Sequence, residues 1–273
     1  QLSEQGFEIE FLPVDSTGMV DPEAVRSHLR RDTALVSVIY ANNEIGTINP
    51  VAEIGLVCRE RNVPFHTDAV QAAAHLPIDV LQEHIDLLSI GAHKFYGPKG
   101  VGALYIRQGT PIEPVQTGGK QESGLRAGTH NVPYIVGLAE ALQITKNELP
   151  VHSRRFLEMR DTLVNGILQT IPQTRLTGHP RQRLPNHVSF VFKNLDGNRL
   201  LMALDVAGYA CSSGSACKTG DPRPSEVLTA IGLPEEWALG SLRVTLGRST
   251  TPQMIEAFTG ILPELIRKQR SLS

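Results

Sequence analysis

Apolar and polar positions fall along the chain in alternating blocks. ALVSVIY (34–40) is a β-branched apolar run closed by the turn residues Asn42 and Asn43, the pattern of a buried strand. Residues 50–62 open on Pro50 and space Ile54, Val57 and Cys58 on one face, which predicts a helix. VPFHT (63–67), DLLSI (86–90) and GVGALYI (100–106) read as further strands, with an Ala-rich segment after the first of them. Strands separated by helical segments predict βαβ units and a mainly parallel sheet. In such sheets ligand groups gather just beyond the carboxyl ends of the strands. Asn43, Asp68 and Lys94 each follow such an end.

A Gly-rich stretch (117–131) comes next, then helical patterns over 133–147 and 153–170 with an interruption expected at Pro150. A domain boundary is expected there, giving a first domain of residues 1–149 and a second of 150–273. The second reads as a strand (HVSFVF, 187–192), a helix (197–208) and a small-residue loop (CSSGSAC, 211–217). A short helix from Pro224, a strand (SLRVTLG, 241–247) and a closing helix from Pro252 follow. The fold class expected is α/β: a mainly parallel large domain followed by a smaller α+β domain.

Composition narrows the function. Hydrophobic residues at 41% and charged residues at 20% of 273 match a globular chain and exclude disorder. Lys+Arg 26 against Asp+Glu 28 lacks the basic surplus of a nucleic-acid binder. No apolar stretch approaches the roughly 20 residues that span a bilayer, and QLSEQGFEIE has no signal-peptide pattern. Three cysteines are too few for a disulfide scaffold, so a reducing cytoplasm is expected. The chain starts at Gln1 and is expected to be part of a longer one.

Four residues carry candidate chemistry. Lys94 sits in GAHKFYGPKG (91–100), a Gly-flanked turn between strands. A lone Lys is ordinarily a solvated charge, but small and aromatic neighbours after an apolar strand can desolvate an amine and keep it nucleophilic. The segment is not a Walker loop: the spacing between its glycines is wrong and Pro98 follows. Asp68 lies 26 residues before Lys94, about one crossover to a neighbouring strand. It can cap a helix, or it can pair with the ring nitrogen of pyridoxal phosphate and keep that ring electron-accepting. His66, Asp68 and His93 could also form a metal set, although no second clustered ligand pair accompanies them. Cys217 is flanked by Ser and Gly on one side and Lys-Thr-Gly on the other, a pattern expected of an exposed, mobile thiol that Lys218 favours as thiolate. Cys58 and Cys211 read as small core residues. Arg243, inside an apolar strand, needs a partner there: a salt bridge, or a substrate carboxylate held bidentately.

NNEIGT (42–47), HTDAVQ (66–71), HKFYGPKG (93–100), ESGLRAGT (122–129), SSGSAC (212–217) and SLRVTLGR (241–248) together resemble the cysteine desulfurases, class V aminotransferase-like enzymes of the fold type I pyridoxal-phosphate architecture. The resemblance implies that Lys94 bears pyridoxal 5'-phosphate and later acts as acid and base. It implies that Asp68 pairs with the pyridine nitrogen, Gln71 with the phenolic oxygen and His93 with the phosphate, while Asn43 lies near cofactor and substrate. Thr129 would reach the phosphate of the other subunit of a homodimer. Arg243 would bind the carboxylate of L-cysteine. Cys217 would take the sulfur as a persulfide, releasing L-alanine, and no resident metal is implied beyond a transient cluster at that thiol. The sulfur would pass to an acceptor such as an iron–sulfur scaffold, a sulfur-relay protein or a tRNA-modifying enzyme, with no direct contact to nucleic acid or membrane.

The sequence departs from the family pattern in three places. Gly91 replaces a phosphate-binding Ser, Lys120 replaces a Gly, and roughly a hundred preceding residues, with a Thr and a His that hold the cofactor, have no counterpart. A selenocysteine lyase or another enzyme of the same fold stands as the alternative activity. A non-catalytic binding partner stands as the alternative of another class.

Overall fold

The computed structural model describes residues 2–214 and 224–271. After a 3-10 turn (Ser3–Gln5) and an irregular segment, helix α1 (Pro22–His28) starts where the Asp21 carboxylate accepts from the Glu23 amide. Strand β1 (Val36–Ile39), helix α2 (Val51–Glu60), β2 (Phe65–Asp68) and β3 (Leu87–Gly91) then follow as the hydrophobic pattern predicts. β1, β2 and β3 are parallel neighbours, with Ile39 opposite Asp68 and Asp68 opposite Ser89. Strand β4 (Gly102–Ile106) joins β3 antiparallel, because only a turn and not a full crossover separates them. Val51, Ile54, Val57 and Cys58 of α2 bury against Val36, Val38 and Phe65.

A two-stranded ribbon of β5 (Lys120–Gln121) and β6 (Arg126–Ala127) leads to the 39-residue helix α3 (Val132–Thr170). The interruption expected at Pro150 does not occur: the helix runs through it, and the boundary drawn between 149 and 150 lies inside it. Proline removes one helical hydrogen bond and crowds the preceding turn. Here Pro150 is exposed, so water can take the freed carbonyl, and packing secures both flanks. Leu138 buries against Ala92 and Phe95, while Phe156, Met159, Leu163 and Ile167 bury in a second core.

That second core lies under a sheet ordered β7 (Thr174–Leu176), β8 (His187–Phe192), β9 (Ser241–Thr245), all antiparallel. Helices α4 (Gly197–Val206) and α7 (Pro252–Arg270) cover one face together with α3, and the short helices α5 (Glu226–Ala230) and α6 (Glu235–Ala238) lie beside the other. Every residue of β8 is buried, but its two faces differ in use. Val188, Phe190 and Phe192 point at the helices; on the opposite face Val191 joins Ile45 and Trp237 in a cluster that spans both halves of the chain. Among the described residues, no helix is long and apolar enough to cross a membrane.

Phe190 is fully buried at the centre of the second core. Phe190→Ala should lower unfolding free energy by about 3–5 kcal/mol, read as a reduced urea midpoint at unchanged slope.

Candidate active site

The carboxyl ends of β1, β2 and β3 carry the predicted residues. Asp68 closes β2; its Oδ1 accepts from the Val70 amide at 2.9 Å, and its other oxygen has no partner among the described residues. Gln71 opens the 3-10 turn Ala72–Ala74, and Ala73 and Ala74 pack on Ala92 and Phe95 of the turn Ala92–Phe95, which holds His93 and Lys94. The two turns therefore bring Asp68, Gln71 and Lys94 to adjoining strand ends. Lys94 is exposed, so the desolvation expected from its apolar neighbours is not provided by the described residues. Beneath Asp68 on the same face of β2, the ring nitrogens of His66 meet Ser37 Oγ at 2.8 Å and Ser89 Oγ at 2.9 Å, tying the three parallel strands together. Burial lowers the pKa of His66, with the Asp68 charge opposing.

Gly91 has a physical explanation. A Cβ there would stand 3.2 Å from Cε1 of His93, so the imidazole occupies the space that a side chain at 91 would need.

Residues 42–48 form the wall of the site at the end of β1. Asn42 folds the loop on itself, its Oδ1 accepting from the Glu44 and Ile45 amides at 2.8 and 3.0 Å. The second half of the chain holds the carbonyls of Asn43, Ile45 and Gly46. Arg183 Nη2 donates to Ile45 O at 3.1 Å, and the Leu184 amide to Gly46 O at 2.9 Å. Both His187 Nε2 and Arg243 Nη1 donate to Asn43 O, each at 3.0 Å. Gly46 (φ 78°) and Gly178 (φ 77°) permit this approach: a Cβ would lie 2.6 Å from His187 Nδ1 in one case and 2.3 Å from Ile45 O in the other. Arg243 is thus anchored by a carbonyl, and among the described residues no carboxylate pairs with it.

The described residues on either side of Cys217 meet the same place. Ser212 and Arg243 exchange backbone hydrogen bonds, and Ser225, past the loop, donates from its Oγ to Glu44 of the wall. Cys217 lies outside the described residues, five positions after Ser212. The other two cysteines are buried or half-buried: burial, with the Asp86 charge, pushes the Cys58 thiol up to about 12, and burial pushes Cys211 up to about 11. Thr129 is exposed just past the β5–β6 ribbon, a sheet separate from the strand ends that bear Lys94.

These groups fit the chemistry of pyridoxal phosphate. The uncommitted Asp68 oxygen suits a ring N–H, the Gln71 amide a phenolic oxygen, the Lys94 amine an aldehyde carbon, and the His93 ring a phosphate oxygen. Sequence reasoning missed His187, Arg183 and Tyr96. Tyr96 (φ 65°), two residues past Lys94, accepts from the Arg248 amide at 2.9 Å and fastens the Lys94 turn to the end of β9. The available signals were a His opening an otherwise apolar strand and an aromatic residue held between the Lys and a Gly.

The class-V aminotransferase family model matches residues 1–258. The chain is 49% identical over 272 residues to the cysteine desulfurase IscS of Methanosarcina thermophila, covering all of this chain and 67% of that protein. In structure it is similar to a NifS-like protein with a TM-score of 0.89 at 36% identity, over 98% of this chain and 70% of the other. It is also similar to SspA in complex with cysteine, with a TM-score of 0.73 at 33% identity, over 90% of this chain and 68% of the other.

Burial, reinforced by the Arg183 and Arg243 charges, pushes His187 down from 6.5 to about 3. At neutral pH both folded and unfolded states leave this residue uncharged, and its stabilising contribution is complete. Below about pH 6.5 the unfolded chain takes up a proton that the folded chain refuses, so stability falls toward pH 3. This residue should remove about 2 kcal/mol between pH 7 and pH 5. His75, pushed by burial to about 4, acts in the same direction. Urea unfolding at the two pH values should show the loss, and His187→Gln should shrink the difference.

Proposed function

The chain belongs to the cysteine desulfurases of the class-V aminotransferase family, and we propose that it converts L-cysteine to L-alanine while carrying the removed sulfur as a persulfide on Cys217. The observation that carries this reading is the placing of Arg243. It crosses from β9 to the Asn43 carbonyl at the end of β1, on the same side of the sheet ends as Asp68 and Lys94.

Pyridoxal phosphate, when bound, supplies an electron sink that labilises bonds at the substrate's α-carbon. The residues do the rest. Asp68 would keep a proton on the ring nitrogen, while Gln71 and His93 would orient the ring through the phenolic oxygen and the phosphate. Lys94 would hold the cofactor through Nζ, and the same amine would move a proton at the substrate carbon. Arg243 binds the substrate carboxylate with the N–H donors that Asn43 leaves free. The Cys217 thiolate attacks the substrate sulfur: an S–S bond forms, the C–S bond breaks, and its electron pair stays with the carbon, which takes up a proton to become the alanine methyl group. Burial keeps Cys58 and Cys211 protonated at neutral pH, which supports Cys217 as the nucleophile.

A homodimer accompanies this reading, with Thr129 reaching the phosphate of the other subunit. Exposed Val132, Tyr134, Ile135 and Val136, directly after Thr129, support an apolar contact there. An acceptor protein, an iron–sulfur scaffold or sulfur relay, would take the persulfide sulfur, and a reducing cytoplasm suits a thiol that must stay free.

Cofactor-loaded enzyme given L-cysteine should release L-alanine and gain one sulfur atom on the Cys217 peptide in mass spectrometry. Cys217→Ala should abolish both; full turnover in that variant refutes the assignment. Arg243→Gln should raise KM for L-cysteine about ten- to hundred-fold, by loss of charge-assisted hydrogen bonds. Val136→Asp should shift the protein toward monomer in sedimentation velocity.

A further inference from the structure

We propose that His187 is a positioning residue for the reaction: through the Asn43 carbonyl that both side chains share, it fixes the Arg243 guanidinium to receive the substrate carboxylate. The proposal rests on the carboxylate-binding reading of Arg243 given above.

His187 opens β8 opposite Thr245 of β9, and Arg243 stands two residues before Thr245, opposite Ser189. The two side chains are therefore diagonal neighbours on one face of the sheet, the face turned toward residues 42–48. Their donors, His187 Nε2 and Arg243 Nη1, meet on a single oxygen at 3.0 Å each. A carbonyl oxygen only accepts, so Nε2 must carry the proton and Nδ1 is bare. Nδ1 has no hydrogen-bond partner among the described residues, and His187 is 2% exposed. The glycine at 46 lets the ring edge lie against the backbone, so the imidazole cannot be displaced in that direction. Arg183 locks the other side, donating to the His187 carbonyl at 3.3 Å and to Ile45 O at 3.1 Å.

Two donors converging on one acceptor define where the acceptor sits, and the acceptor in turn defines where Arg243 sits. With His187 in place, the Asn43 carbonyl is held from one side and Arg243 approaches from the other, the rest of its fork without a partner among the described residues. Without that donor the carbonyl can rotate toward Arg243 and engage more of the guanidinium, or release it. Either change misplaces a group that must meet a carboxylate through parallel N–H bonds.

The test compares His187→Leu with His187→Gln, whose amide can still donate to Asn43 O, in cofactor-loaded enzyme. His187→Leu should raise KM for L-cysteine about ten-fold with kcat changed less than about three-fold, and His187→Gln should restore most of the loss. The affinity for L-alanine, which shares the carboxylate, should weaken in parallel, whereas absorbance of the bound cofactor should not change. Independently of activity, 15N NMR of the imidazole should report a neutral Nε2–H tautomer at pH 7.

An unchanged KM in His187→Leu, with the Arg243→Gln defect intact, overturns the proposal and leaves the carboxylate reading standing. An unchanged KM in both variants removes that reading and the proposal together. An Nδ1–H tautomer, or equal losses of kcat and KM in the Leu and Gln variants, also overturns it.

Discussion

Three backbone carbonyls of the loop 42–48, those of Asn43, Ile45 and Gly46, are satisfied by the other half of the chain, and the site depends on that constraint. A parallel sheet delivers functional groups at the ends of its strands but leaves that edge open. Here the wall of the opening is a loop whose oxygens at 43, 45 and 46 turn away from its own strand. A buried carbonyl without a donor is expensive, so the donors decide how the two halves sit. His187 and Arg243 take the first oxygen, Arg183 the second and the Leu184 amide the third. One set of hydrogen bonds thus closes the loop, joins the halves and brings a cation from β9 to the strand ends.

Much of the architecture was legible because periodicity is a strong signal. The runs at 34–40, 63–67, 86–90 and 187–192 became β1, β2, β3 and β8 within a few residues, since each is apolar with turn residues at its edge. The reading of Pro150 as a break failed for a definite reason. Local propensity at one residue opposed tertiary packing along nearly forty, and packing prevailed because Leu138 on one side and Phe156 to Ile167 on the other belong to buried clusters. The site was legible by residue type but not by arrangement. Lys94, Asp68 and Arg243 announce themselves as charges beside apolar strands, whereas no pattern in HVSFVF shows that its first residue reaches back to Asn43, 144 positions earlier.

The cysteines divide on burial alone. Cys58 is packed between α2 and the sheet and Cys211 lies at the edge of the second core, so each thiol is raised well beyond the range where thiolate forms at neutral pH. Neither needs any further explanation as a core residue. Cys217 occurs after Ser212, whose backbone is already paired with Arg243, and before Ser225, whose hydroxyl bonds Glu44. The described residues on both sides of it are therefore fastened to β9 and to the wall.

Crowding of positive charge around the wall explains why its histidine must be neutral. Arg183 is almost fully buried, with Arg160 close enough to lower its pKa and Asp161 opposing in the other direction. Arg243 lies on the other side of the same imidazole. A third cation at His187 would repel both guanidinium groups, and burial of the ring disfavours that charge. The neutral ring can still donate, because one proton on Nε2 is all that Asn43 O requires. A Lys at 187 would bring the charge without the shape, and a carboxylate there would draw Arg243 off the Asn43 carbonyl. Imidazole combines a donor, no charge and a flat edge that fits against Gly46, and Arg243 therefore keeps its place at the Asn43 carbonyl beside a neutral ring.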